Sequence, residues 1–83
     1  MFILVCYSVH DRNVVNAQTF HSFDKAAEAM KKSAKESYKS VRSDIDADQR
    51  HGVYVDIDDD CAQLSNEAYE ETWTWHIIKD ETL

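Results

Sequence analysis

Ser22-Phe23-Asp24-Lys25-Ala26-Ala27-Glu28-Ala29-Met30-Lys31-Lys32-Ser33-Ala34-Lys35-Glu36-Ser37-Tyr38-Lys39-Ser40-Val41-Arg42 is the stretch on which the reading of the fold turns. Phe23, Ala27, Met30, Ala34, Tyr38, Val41 and Ile45 recur at spacings of three and four. At 100° per residue they fall within a wedge of about 80°, the signature of a helix with one apolar face. Ser22 offers a short hydroxyl to the free N–H groups of a first turn, and Asp24 and Glu28 follow it. Lys39 and Arg42 lie where the negative end of the helix dipole favours cations. The pattern predicts a single amphipathic helix from about Phe23 to about Arg42.

On the N-terminal side, Phe2 to Val9 is almost continuously apolar and rich in β-branched and aromatic residues. That composition predicts a central strand buried on both faces. His10-Asp11-Arg12-Asn13 supplies a turn, and Val14 to Phe20 reads as a second strand returning beside the first. On the C-terminal side, an acidic connector ends at Gly52, after which Val53, Val55 and Ile57 alternate with Tyr54, Asp56 and Asp58. Asp58-Asp59-Asp60 reads as a turn, and Cys61 to Leu64 as a short strand. Thr72 to Lys79 closes the sheet, with Trp73, Trp75 and Ile77 on one face and Thr74, His76 and Ile78 on the other. The expected fold is α+β: one amphipathic helix packed on an antiparallel sheet of four to five strands (ββαββ-like), a single domain over residues 1–83. One helix covers one face, so the other is expected to be partly open.

The arithmetic of the chain excludes many activities. At 83 residues and 9.6 kDa, folding buries roughly 60–65% of the unfolded surface, enough for one thin core. Gly52 is the only glycine and there is no proline. A Gly-rich phosphate loop, a dinucleotide fingerprint and a nucleophile elbow therefore have no material to be built from. The apolar run Phe2-Ile3-Leu4-Val5-Cys6 is too short for a signal sequence core or a membrane span. Cys6 and Cys61, without a secretory signal, are expected to be free thiols in a reducing cytoplasm.

His10, His21, His51 and His76 and the two cysteines show no close zinc spacing. Cys6 and His76 could meet across paired strands, but a packed thiol and a polar-face histidine are the expected reading. No residues for an oxyanion hole can be named, so no enzymatic activity and no cofactor are expected. Asp56, Asp58, Asp60 and Glu67 occupy positions 1, 3, 5 and 12 of an EF-hand-like loop, which makes calcium binding an alternative. Against it, Cys61 stands where the loop needs glycine, and Gln63 and Leu64 also depart from the pattern.

Charge is the remaining signal. Residues 1–43 carry a net of +3, mostly along the helix, whereas residues 44–83 hold twelve carboxylates against Arg50 and Lys79, a net of −10. Such a chain is repelled by nucleic acid phosphates and by anionic membranes. Asp44, Asp46 and Asp48 alternate, as do Asp56, Asp58 and Asp60. On an extended strand, carboxylates two apart point the same way about 6.6–6.8 Å apart, a negative row that a basic groove would neutralise. Two other readings of the same residues are a solvated surface and an edge strand kept charged against aggregation. Trp73, Trp75 and Ile77 read as core, or as anchors of a partner or dimer surface. Ser33, Ser37 and Ser40 with Ala26 form a small-residue flank on the helix.

A tiny chain with one helix on a small sheet, no catalytic motif and acidic rows resembles the small acidic proteins of phages and mobile elements, in particular anti-CRISPR proteins. The residues that carry the resemblance are Asp44, Asp46, Asp48, Asp56, Asp58, Asp59, Asp60, Glu67, Glu70 and Glu71. It implies a non-enzymatic inhibitor that imitates nucleic acid charge and binds the basic surface of a nucleic-acid-binding protein, such as a CRISPR effector, through those carboxylates. The alternative is a homodimeric structural or regulatory protein pairing through its uncovered sheet face.

Overall fold

Residues 1–81 are described by a computed structural model. In chain order the elements are β1 (Phe2–Ser8), β2 (Asn13–Phe20), α1 (Phe23–Ser43), a 3-10 turn (Ala47–Gly52), β3 (Val53–Ile57), β4 (Cys61–Asn66), a second 3-10 turn (Glu67–Tyr69) and β5 (Glu71–Lys79). The five strands form one antiparallel sheet in the order β2-β1-β5-β4-β3. This is the α+β fold expected, one long helix on an antiparallel sheet; three strands follow the helix, so the order is ββαβββ. Among the described residues, no helix is long and apolar enough to cross a membrane.

Helix α1 begins where the capping pattern places it, since the Ser22 hydroxyl accepts from the Lys25 N–H at 3.2 Å. It ends one residue beyond Arg42, and the Arg50 Nε donates to the Arg42 carbonyl at 2.8 Å, satisfying one of the last orphan acceptors. The helix carries the chain from the β2 edge to the β3 edge across one face of the sheet. Beneath it, Leu4, Cys6, Val53, Ala62, Leu64 and Trp75 join Met30 and Ala34 in the core.

Three expectations are corrected. The fully buried helix positions are Ala26, Met30 and Ala34, whereas Tyr38, Val41 and Ile45 are half-buried and Phe23 is exposed, its ring edge-on to Phe2 at 5.9 Å. The stripe is rotated because small Ala26 permits the close approach, leaving bulkier side chains at its margins. Strand β1 is not buried on both faces: Leu4, Cys6 and Ser8 are buried, while Ile3, Val5 and Tyr7 on the open side are half-buried. Its continuous apolar run reflects a position inside the sheet, and the single helix leaves its second face uncovered. The centre belongs to β5, which pairs with both β1 and β4.

The sole glycine does not serve a left-handed turn; that conformation falls on Arg12 (φ 55°) and Glu70 (φ 54°). A Cβ clashes with the backbone in that region at a cost of roughly 1–2 kcal/mol, which glycine escapes. Arg12→Gly should therefore raise the melting temperature by about 4–8 °C, read by circular dichroism, given about 1 kcal/mol in a domain of this size. In the opposite direction, Met30→Asp puts an unpaired charge where the native side chain is 0% exposed. A domain of this length has of order 4–12 kcal/mol of stability, so the cooperative melt should vanish; a melt near that of the parent would overturn this account of the core.

Candidate functional site

The acidic residues fall into two poles along the β3 side of the molecule. At one end is the β3–β4 hairpin tip. Asp56 is exposed on β3, and Asp58, Asp59 and Asp60 form the three-residue connection. The tip is shaped by its own carboxylates and backbone. Asp58 accepts from the Asp59 N–H at 3.1 Å, and the Asp58 N–H donates to the Cys61 carbonyl at 2.8 Å. The Ile77 N–H donates to the Asp60 carbonyl at 2.9 Å, tying the tip to β5.

At the other end of the same strands lie Glu67 and Glu70, in and after the second 3-10 turn, and Glu71 at the start of β5. The first 3-10 turn is held beside them by the Tyr69 hydroxyl, which donates to Gln49 Oε1 at 3.2 Å. Asp44 caps α1, Asp46 precedes that first turn and Asp48 lies within it. The expected extended row Asp44/Asp46/Asp48 is thus corrected. The chain coils there, with the Gln49 N–H donating to the Asp46 carbonyl at 3.0 Å, so alternate side chains do not share a face. Asp56/Asp58/Asp60 also leaves the strand after Ile57 and becomes a knot at a turn.

The ten carboxylates are not equivalent. Glu71 is engaged: Asn66 Nδ2 donates to it at 3.4 Å, and His10 Nε2 stands 3.6 Å away. The other nine are exposed, and among the described residues none of them is within ion-pair distance of a lysine, arginine or histidine. The cations lie elsewhere, with Lys25, Lys31, Lys32, Lys35, Lys39 and Arg42 exposed along α1.

The calcium alternative fails on geometry. Asp56 pairs with Gln63 along the hairpin, whereas Glu67 follows Asn66, the partner of Val53. The strand between holds the two acids apart, because the segment is a β-hairpin and not a loop wrapped round one point. Among the described residues no group of three or more His, Cys, Asp or Glu side chains could hold a metal ion.

Cys6 and Cys61 are free thiols. Cys6 faces the helix opposite Trp75, so it does not meet His76; the cross-strand neighbours of His76 on the open face are Val5 and Cys61. Burial, then the carboxylates of Asp60, Asp58 and Asp56, push the Cys61 thiol above its ordinary pKa.

A polar cluster at the opposite end of β1 was not legible in the sequence. His10 Nδ1 meets the Thr72 backbone, 3.1 Å from its N–H and 3.2 Å from its carbonyl oxygen, while Nε2 faces Asp11 and Glu71. The Ser8 hydroxyl donates to Asp11 Oδ2 at 3.2 Å, and the His10 ring stands edge-on to Trp73 at 4.8 Å. Ser8 is 2% exposed, so this trio pins the β1–β2 turn to β5 and presents no open hydroxyl. The only sequence trace of it is the proximity of Ser8, His10 and Asp11.

No family model, no curated protein and no solved structure matches this chain.

The hairpin-tip geometry has a chemical readout. The thiolate is the nucleophile, so a raised pKa lowers the reactive fraction of Cys61 at pH 8. Asp58→Asn with Asp60→Asn should lower that pKa and speed alkylation by iodoacetamide. An unchanged rate, followed by mass spectrometry, would show that the carboxylates do not reach the thiol.

Proposed function

We propose that this protein is a non-enzymatic acidic binding protein. In this reading its β3 side docks on the basic surface of a nucleic-acid-binding effector and inhibits it by occupying the place of nucleic acid, as the resemblance to anti-CRISPR proteins implies. It acts in the cytoplasm, where such a target works. The observation that supports the reading is the set of exposed, unneutralised carboxylates on one side of the fold, above all Asp56, Asp58, Asp59 and Asp60 at the hairpin tip.

The physical argument concerns neutralisation. Like charges gathered at a turn repel each other, which weakens the fold slightly. A cationic partner removes that repulsion on binding, and the field of the acidic side steers the encounter. The two poles stand at opposite ends of a five-residue strand, a separation of about 14 Å at the rise of an extended chain. They suit a groove with two basic patches better than a single deep socket.

Asp56→Asn with Asp58→Asn and Asp60→Asn keeps shape and polarity while removing three charges. Against purified effector complexes, measured by surface plasmon resonance at several salt concentrations, the triple variant should associate about ten- to a hundredfold more slowly. Nucleic acid added to the effector should compete with the parent protein. Charge reversal at Lys31, Lys35 and Lys39 should change binding little. Full binding by the triple variant together with loss of binding in the lysine reversals would transfer the working surface to α1.

A further inference from the structure

Three cations gather at the C-terminal end of α1 without a counterion. Lys39, Arg42 and Arg50 line a cavity of about 280 Å³ together with Tyr38 and Ser43. No carboxylate lines it, although the chain carries sixteen. Among the described residues, none of the three cations is within ion-pair distance of an aspartate or glutamate. Like charges crowded in this way repel, the more so because Arg50 is half-buried.

The fold nevertheless holds these groups in place. Arg50 is anchored through one of its five N–H groups, with Nε donating to the Arg42 carbonyl at 2.8 Å. Its two terminal nitrogens meet no protein acceptor among the described residues. Arg42 Nη1 donates to the Tyr38 hydroxyl at 3.1 Å, and the guanidinium carbon stands 5.3 Å from the centre of the Tyr38 ring. That hydroxyl accepts from Arg42, which leaves its own proton to donate. Two oriented guanidinium groups, an ammonium and a phenol proton therefore converge on one space.

The helix end does not oppose an anion there. The Ser40, Val41 and Arg42 carbonyls accept from the Ser43 hydroxyl at 2.8 Å, the Asp44 N–H at 3.3 Å and Arg50 Nε at 2.8 Å. The oxygens that make a helix C-terminus negative are thus bonded to donors of the chain itself.

We infer that this cavity binds a single phosphate group, carried by inorganic phosphate or by a small phosphate monoester. A phosphate brings close to two negative charges and three strong acceptor oxygens, which three cations and a hydroxyl match better than they match the two oxygens of one carboxylate. Guanidinium forks pair with it in bidentate fashion. The volume lies just under the roughly 300 Å³ at which sites for drug-sized ligands begin, which favours a compact occupant. Exposed Asp44, Asp46 and Asp48 follow the helix end directly, so a polyphosphate chain leaving the cavity runs into their field. This site uses none of the carboxylates assigned to docking above and stands apart from that role.

Amide shifts followed by NMR on the full chain, at fixed ionic strength, test the site. Inorganic phosphate over roughly 0.1–10 mM, a range that brackets a millimolar Kd, should give saturable shifts confined to residues 38–43 and 50. Glycerol phosphate should bind the same residues within about threefold. Arg42 is exposed, so Arg42→Gln keeps the fold and should weaken phosphate binding roughly tenfold. Arg50→Gln should do the same, and if it frays the helix end, Arg42→Gln decides alone. Lys25→Gln with Lys32→Gln, beside Phe20 on the β2 flank, should change the affinity less than about twofold. Shifts that do not saturate, or that sodium chloride of equal ionic strength reproduces, would overturn the inference. So would an affinity that Arg42→Gln leaves unchanged, or a short single-stranded DNA that binds these residues more tightly than phosphate does.

Discussion

The indole of Trp75 lies between the sheet and α1, 1% exposed, with its Nε1 donating to Ser33 Oγ at 3.1 Å. Its cross-strand neighbours are Cys6 on β1 and Ala62 on β4, both small. The space for so large a side chain at the centre of a thin core comes from those two positions. Its single polar atom is paired, so burial costs no unmet hydrogen bond. Through Trp75 the β1–β2 hairpin, the β3–β4 hairpin and the helix all bear on one residue. Ser33, part of a small-residue flank, thus serves the core.

Placing the core there leaves the rest of the surface to divide by charge. The helix lies across the sheet with its lysines outward, and the β3 side collects the carboxylates. Fixed positions at a hairpin tip and at two 3-10 turns make two acidic poles where the spacing in the sequence suggested rows. The scaffold holds the hairpin-tip pole by backbone hydrogen bonds, from Asp58 to Cys61 and from Ile77 to Asp60. A docking surface on such a frame has little ordering entropy left to lose.

Local signals in the sequence were reliable where the structure is local. The Ser22 cap, the three-four spacing of Met30 and Ala34, and the alternation at Val53, Val55 and Ile57 all name their elements correctly, because each depends on neighbours a few residues away. Strand order was not legible in the same way. That β5 takes the centre depends on pairing residues 2–8 with residues 73–79, which no window of the sequence contains. The half-burial of Val41 likewise follows from how the helix crosses the sheet. The coil at Asp44, Asp46 and Asp48 is not legible in the sequence, because alternating acids look alike in a strand and in a tight turn. Of the candidate site, the hairpin-tip acids were legible as a turn, whereas the engagement of Glu71 with His10 depends on the closing of the β1–β2 turn against β5.

The central position of β5 also governs the order of events in folding. Both hairpins and the helix consist of near neighbours and form on the microsecond scale. The sheet has no middle until residues 71–79 enter between β1 and β4. That insertion closes a loop of nearly the whole chain, the kind of long-range step that slows folding far below the rate of a helical bundle. Until it happens, β1 and β4 each present an unpaired inner edge, and Trp75 is in water. Nascent chain lacking β5 is therefore the aggregation-prone species, and chaperones would act on it before the last strand is made.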